Sequence, residues 1–138
     1  MVMQFHIEGG DFVSAGKASS SVKRVLKQLN VPPKLIKRVV IALYETEVNV
    51  VAHADQGDIE VLIESDKITM VIEDKGPGIR DIDKAMEEGY STASKTVREM
   101  GFGAGMGLPN IRRNSDEMHI ESVPGKGTEV RIINTLKS

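Results

Sequence analysis

Hydrophobic residues recur with two different periods along the chain, and the changes of period predict the order of the elements. They return every three or four positions over residues 18–29 and 34–54, which is the period of an amphipathic helix. Shorter segments between turn residues alternate or are apolar throughout, which is typical of strands. The predicted strands are residues 2–8, 58–64, 67–74, 117–123 and 128–134, and shorter helices are expected over residues 81–88 and 108–115.

This order predicts an α/β protein, more narrowly an α+β two-layer sandwich with helices on one face of a mixed, mostly antiparallel sheet. The chain has 138 residues, the usual length of a single domain. No repeat, linker or low-complexity tail divides it. We therefore expect one domain over residues 1–138.

The longest predicted helix, residues 34–54, carries a polar stripe on a largely apolar surface. Glu45 and Asn49 lie four residues apart, so a helix places them one turn apart on the same face. Arg38 and Ala42 fall near that stripe. Taken alone, such a pair is most often exposed on an amphipathic helix. The alternative is that the carboxylate and the amide face a polar ligand, for example a metal-bound one.

Polar residues near the two long helices are expected to have structural partners. Glu47 falls on the apolar face of the longest helix, where a salt bridge or a contact with another protein is expected. Ser14 and Ser19 are candidate N-caps of the first helix, because a serine hydroxyl can accept a hydrogen bond from a first-turn N–H group.

The segment DKGPGI, residues 74–79, follows an apolar strand. Asp74 can accept hydrogen bonds from an amino group. Gly76 and Gly78 allow the backbone to approach a flat ligand closely or to take a positive φ. Alone, this motif also occurs in ordinary turns.

The segment GFGAGMGL, residues 101–108, places four glycines directly before a helix. Backbone N–H groups at a helix N-terminus favour anions, whereas the alternative is a flexible loop. The segment is not a P-loop, since no Gly-Lys-Ser/Thr follows, and no parallel βαβ unit surrounds it as in a Rossmann fold. Further on, Gly127 and Thr128 end the last tight turn and open the last strand.

The composition excludes several classes of function. Without cysteine there are no disulfides, thiol nucleophiles or thiolate metal sites. A net charge of −2 and 4% aromatic residues give no reason to expect nucleic-acid or membrane binding. His6 and His119 lack partners at metal-ligand spacing, so no zinc site is expected. His53 is expected to be a helix-end residue rather than a catalyst. No apolar run approaches membrane-spanning length, and we expect a soluble cytoplasmic protein.

Four motifs in this order resemble the GHKL ATP-binding superfamily: E-x-x-x-N on a helix, D-x-G-x-G after a strand, a glycine-rich loop entering a helix, and G-x-G-T before a strand. The matching residues are Glu45, Asn49, Asp74, Gly76, Gly78, Gly103, Gly105, Gly107, Gly127 and Thr128. Met106 and Leu108 of the same loop are counted with the cofactor-binding residues.

Within the superfamily, ALYETEVNVVAHA and GMGLPNIRRNSDEMHIES are most similar to the small bacterial anti-sigma-factor serine kinases, and closest to the stress-switch branch. The resemblance implies a Bergerat fold, ATP with Mg²⁺, and phosphorylation of a serine or threonine on a small STAS-domain antagonist. It implies Glu45 as catalytic base, Asn49 as a magnesium ligand, and Asp74 and Thr128 as adenine contacts. A glycine-rich lid would cover the phosphates.

Two departures from that branch concern the lid between Gly89 and Gly103. It contains an inserted piece, KTVREM, and Gly103 stands where the branch often has an arginine, for which Arg98 is a candidate substitute. Three hypotheses follow: a protein kinase, a nucleotide-gated module that sequesters a partner such as a sigma factor, and a histidine-kinase-like domain acting in trans. Glu45 favours the first over the second, since a pure binder needs no base. Whether the chain forms a homodimer stays open.

Overall fold

The computed structural model describes residues 1–77, residue 86 and residues 107–137. The elements of these residues agree with the predicted ones to within two residues at each end. They are β1 (Val2–Glu8), α1 (Lys17–Gln28), α2 (Pro33–His53), β2 (Gln56–Ile63), β3 (Lys67–Lys75), α3 (Gly107–Arg113), β4 (Glu117–Val123) and β5 (Gly127–Thr135). The helix predicted over residues 81–88 falls almost wholly outside the described residues.

The five strands form one sheet in the order β1-β2-β3-β5-β4. Every neighbouring pair is antiparallel. The predicted α+β sandwich is therefore confirmed, but the described part of the sheet contains no parallel pair, although a mixed sheet was expected. Two of the four pairs, β2 with β3 and β4 with β5, are hairpins, which are antiparallel by construction.

The three described helices pack on one face of this sheet, because buried and exposed residues alternate along the strands. In β2, Ile59, Val61 and Ile63 are buried whereas the residues between them are exposed. Burying such a side chain contributes about 1.5–3 kcal/mol each. The core between helices and sheet also includes Val22, Leu26, Val39, Leu43, Met70, Ile111 and Ile132.

Helix α2 is the central helix, since it packs against α1 on one side and α3 on the other. Its first residue is Pro33. Proline is tolerated at this position because the first N–H groups of a helix have no partner within the helix. Among the described residues, no helix is both long enough and apolar enough to cross a membrane.

Helix α1 is capped from within the core, and the expected Ser14 or Ser19 cap is wrong. The N-cap residue is Gly16, with φ 101°, and no side chain of α1 caps the helix. Instead the carboxylate of Glu47, which is 1% exposed, accepts hydrogen bonds from the backbone N–H groups of Gly16 at 2.9 Å, Ala18 at 3.2 Å and Ser19 at 2.8 Å. These bonds and the positive end of the helix dipole account for a carboxylate on an apolar face.

Candidate functional site

The polar stripe of α2 faces α3. Gly107, the first residue of α3, lies so close to Asn49 that a Cβ added there would be 2.9 Å from Asn49 Oδ1. The next residue, Leu108, packs against the hydrophobic core. A larger residue at position 107 would therefore displace the Asn49 amide from its present position.

One turn further along α3, Asn110 lies beside Glu45. Its Nδ2 donates a hydrogen bond to Glu45 Oε1 at 3.4 Å. Burial raises the pKa of the partly buried Glu45 carboxyl, and the hydrogen bond from Asn110 opposes that rise. A carboxylate with a raised pKa is a stronger proton acceptor once it is ionised.

The far end of α3 is held by Arg38 of α2. Arg38 Nη1 forms an ion pair with Asp116 Oδ1 at 2.6 Å, and its Nη2 donates to the backbone oxygen of Arg113 at 3.5 Å. The Arg38 guanidinium holds the pKa of Asp116 below its ordinary value. Along these contacts α3 runs antiparallel to α2. We call this contact region the α2–α3 seam. It consists of Arg38, Glu45 and Asn49 on α2, and of Gly107, Asn110, Arg113 and Asp116 on or just beyond α3.

The second part of the site lies at the end of the sheet. Asp74 of β3 is paired with Thr128 of β5, which in turn is paired with Ser122 of β4. Thr128 N donates to Asp74 Oδ1 at 3.1 Å, and the hydroxyls of Thr128 and Ser122 are 2.8 Å apart. Burial raises the pKa of the Asp74 carboxyl, and the hydrogen bond from Thr128 opposes this. Since side chains alternate along β3, Asp74 continues the buried row of Met70 and Ile72 on the helix-covered face.

Ser122 was not predicted from the sequence as a site residue. It could have been found by counting back from Thr128 across the three turn residues 124–126, because residues at equal distance from a hairpin turn lie opposite each other.

Two glycines support this end of the sheet. Gly127 has φ 152°, and a side chain there would overlap the backbone oxygen of Asp74. Gly76 does not take a positive φ, which was one of its two expected roles. A Cβ on Gly76 would lie 2.9 Å from Ala54 Cα and 3.3 Å from the backbone oxygen of His53. Its close approach in the described structure is therefore to the C-terminal end of α2.

These contacts place both parts of the site along the C-terminal half of α2, with α3 against Asn49 and the end of β3 against Ala54. The other predicted site residues, Gly78, Gly103, Gly105 and Met106, lie outside the described residues, as does Arg98. Within the described residues, no group of three or more His, Cys, Asp or Glu side chains could hold a metal ion.

The family described as histidine kinase-like ATPase domain matches residues 12–134. The chain belongs to that family. It is 34% identical to the serine/threonine-protein kinase RsbT of Bacillus subtilis over 83% of the chain and 84% of that protein. It is 31% identical to the anti-sigma F factor of Thermoanaerobacter sp. strain X514, over 93% of the chain and 92% of that protein. The predicted superfamily is thus confirmed, and the chain is grouped as an enzyme with the GHKL-type protein serine/threonine kinases.

Two solved structures share the fold of this histidine kinase-like ATPase domain. The SiaB–SiaC complex from Pseudomonas aeruginosa contains a chain that matches with a TM-score of 0.60 and 13% identity, over 95% of this chain and 89% of that one. The mycobacterial sensor histidine kinase MprB matches with a TM-score of 0.55 and 14% identity, over 98% and 97%. At these identities the likeness concerns the fold alone.

Proposed function

We propose that the chain is an ATP-dependent kinase that phosphorylates a serine or threonine of a small STAS-domain protein and so acts as a regulatory switch. The observation that carries this proposal is the position of Glu45. It is a partly buried carboxylate with a raised pKa, one helical turn from the amide of Asn49 on a stripe that α3 partly covers. A protein that only binds nucleotide has no need of a proton acceptor there.

The residues at the sheet end fit the adenine of ATP. Among the described residues, Thr128 is the one hydrogen-bond partner of the Asp74 carboxylate, through Oδ1. Oδ2 accepts no hydrogen bond from the described residues, and we assign it to the amino group of adenine. An additional donor would also favour the ionised form of a carboxyl whose charge burial disfavours. The Thr128 hydroxyl, fixed by Ser122, offers a second polar group on the same row.

The residues of the α2 stripe fit Mg²⁺ held mainly by the nucleotide. Mg²⁺ prefers oxygen ligands and is commonly shared between one or two protein oxygens, water and substrate phosphates. Asn49 Oδ1 would be the protein ligand, and the described residues hold no carboxylate cage that would replace the phosphates. When bound, the ion would supply neutralisation of the phosphate charge.

In this proposal the side chains of the protein position the two substrates and remove a proton. The oxygen of the acceptor hydroxyl forms a bond to the γ-phosphorus, and the bond from that phosphorus to the β–γ bridging oxygen breaks, with ADP leaving with the electron pair. Glu45 accepts the hydroxyl proton. Since Asn110 holds Oε1, Oε2 is the oxygen assigned to that proton.

A small regulatory protein as partner is supported by the relatives, one named a serine/threonine-protein kinase and several named anti-sigma F factor. The structural neighbour SiaB was solved in a complex with SiaC. The anti-sigma naming also favours a second candidate function, in which the nucleotide-bound chain sequesters a sigma factor without turnover. MprB shares only the fold and gives no support to histidine phosphorylation.

The test is incubation of the purified chain with labelled ATP, Mg²⁺ and the protein products of neighbouring genes. We expect acid-stable label on a serine or threonine of one of them, and its loss with Glu45→Gln. Stable complex formation without transfer would instead support the sequestering module, and acid-labile label on histidine would support a histidine kinase.

A further inference from the structure

Asn110 is the residue of α3 that touches the Glu45 carboxylate. Its Nδ2 donates to Glu45 Oε1 at 3.4 Å, and its Oδ1 accepts from Arg113 Nη1 at 3.2 Å. An arginine offers only donors and an ionised carboxylate only acceptors, so these two neighbours fix which end of the amide faces which. The amide therefore presents its N–H to Glu45 in one orientation.

The packing of α3 does not depend on this contact. Ile111 is fully buried and Pro109 is buried, and the end of the helix is tied to α2 by the ion pair of Arg38 with Asp116. Glu45, by contrast, has no other hydrogen-bond partner for its carboxylate among the described residues. Losing the Asn110 amide would thus change the orientation of Glu45 more than it would change the fold.

The position of Asn110 also depends on the start of its helix. Gly107, three residues earlier, is the last glycine of the glycine-rich segment and lies against Asn49. Residues three apart on a helix share a face, so Gly107 meets Asn49 and Asn110 meets Glu45 along the same seam. Any shift of the start of α3 relative to Asn49 would change the distance from Asn110 to Glu45.

We propose that Asn110 is a positioning residue for phosphoryl transfer, which orients Glu45 and makes that orientation depend on how α3 lies against Asn49. The proposal rests on the proposed function of Glu45 as proton acceptor. A hydrogen bond of 3.4 Å is long, and catalytic contacts commonly shorten when substrate is bound. Asn110 itself touches no reacting atom.

The decisive variant is Asn110→Ala, which removes the donor to Glu45 without adding a charge beside that carboxylate. We expect kcat for transfer to fall about 10-fold, since one hydrogen bond to a charged group is lost, while ATP affinity and thermal stability stay at the wild-type values. Asn110→Asp also removes the donor, but its second carboxylate repels Glu45, so kcat should fall at least as far. Asn114→Ala is the matched control: it removes a 2.8 Å hydrogen bond to the backbone oxygen of Asn110 but no contact with Glu45, and kcat should be unchanged.

A double-mutant cycle separates this inference from the proposed function. In a Glu45→Gln background, Asn110→Ala should have no further effect on kcat. If Glu45→Gln alone transfers at the wild-type rate, the base assignment fails. If Glu45→Gln is slow but both Asn110 variants transfer at the wild-type rate, or if their effect persists in full in the Glu45→Gln background, the positioning role fails and the base assignment stands.

Two readouts make the test independent of the acceptor protein. Mg²⁺-dependent hydrolysis of ATP uses water as acceptor and should show the same pattern among the variants. Crystal structures with Mg²⁺ and the non-hydrolysable analogue AMP-PNP should show Glu45 on Asn110 in the wild type and in another rotamer in Asn110→Ala. The same Glu45 rotamer in both would overturn the inference.

Discussion

The Asp74–Thr128 pair and the Glu45–Asn49 pair are both partly buried, but they are held in different ways. Asp74 and Thr128 are opposite residues of two strands that are bonded along nine consecutive pairs, so backbone hydrogen bonds fix their separation. Glu45 and Asn49 share one helix, and their surroundings are set by side-chain contacts with α3, a helix of seven residues. Backbone pairing in the sheet thus holds the residues proposed to bind the nucleotide, whereas side-chain contacts in the α2–α3 seam hold the residues proposed for phosphoryl transfer.

The difference suggests that the two regions affect different quantities, ATP affinity and the rate of transfer. Changes at the sheet end should act on ATP affinity, because the register leaves the geometry little freedom. Changes in the seam should act on the rate of transfer, because side-chain contacts there set the orientation of one carboxylate. Each prediction below either breaks this division or sharpens it.

The largest effect is expected from Glu45→Ala, which removes the proposed proton acceptor. General-base losses are typically about 10²- to 10⁴-fold, and phosphoryl transfer relies mainly on positioning and electrostatics, so we expect the lower part of that range. ATP affinity should survive, since Glu45 need not touch the nucleotide. Single-turnover transfer and calorimetry check the two quantities separately.

Asn49→Ala serves as the contrast on the same helix face. It removes the proposed metal ligand and should weaken Mg²⁺-dependent ATP binding and transfer together. If Glu45→Ala weakened ATP binding as much as Asn49→Ala does, the two residues would not have the separate roles assigned to them.

The next effect is a loss of ATP affinity in Asp74→Asn. Asparagine can still accept the hydrogen bond from Thr128 N, but it can present a donor to the amino group of adenine. A hydrogen bond to a charged group contributes about 1.5–3 kcal/mol, so affinity should fall roughly 10- to 150-fold. Calorimetry on the folded variant measures this, and an unchanged affinity would remove Asp74 from the adenine site.

A smaller effect of the same kind is expected from Ser122→Ala. It removes the hydroxyl that lies 2.8 Å from Thr128 Oγ1, and a neutral hydrogen bond contributes about 0.5–1.5 kcal/mol. ATP affinity should therefore fall by roughly 2- to 10-fold, with the rate of transfer from bound ATP unchanged. A fall in that rate without a fall in affinity would contradict the division between sheet and seam.

The smallest effects concern the pH dependence of stability, where Asp116 of the seam and Asp74 of the sheet end should have opposite signs. The pKa of Asp116 is lowered in the folded state, so its pairing with Arg38 stabilises the fold above the ordinary carboxyl pKa of about 4 and is lost as the pH falls through the lower folded value. The pKa of Asp74 is raised, so its contribution is present below the ordinary value and is lost as the pH rises through the higher folded value.

Isosteric variants test these signs. At neutral pH, Asp116→Asn should lower the free energy of unfolding, by little because the ion pair is partly exposed, whereas Asp74→Asn should raise it. The Asp74 difference should disappear as the pH falls from the higher folded pKa to about 4, and the Asp116 difference should disappear as the pH falls from about 4 through the lower folded pKa. Urea titrations over a series of pH values measure them, and equal signs at neutral pH would mean that burial does not govern Asp74.

Most of the fold and half of the site could be predicted from the sequence, for identifiable reasons. Period and turn residues are local signals, and they predicted each described strand. The family resemblance assigned both Asp74 and Thr128 to the adenine, and the structure places them opposite each other on β3 and β5. The contact between Asn110 and Glu45 could not be predicted, because it depends on the rotation of α3 about its axis. That rotation is set by the packing of Ile111 against the core, which a seven-residue pattern does not determine.

The partner of Glu47 was missed for a different reason. Helix caps are sought among the residues next to a helix, and a serine nearby satisfied that search. The carboxylate that caps α1 comes from 28 to 31 residues further along the chain. No local rule connects the two, since the contact exists only once α1 and α2 have packed together.

That cap has a consequence for how the molecule opens. Helix α1 cannot separate from α2 without leaving the Glu47 carboxylate buried and unpaired or exposing it together with the core around it. The two helices should therefore unfold as one cooperative unit, and their amide protons should exchange with solvent at a common rate under native conditions. The surface groove between the two helices is lined by Lys17, Arg24 and Tyr44, among others. A protein that binds there would contact a surface that is already ordered, so binding would not cost the entropy of ordering the two helices.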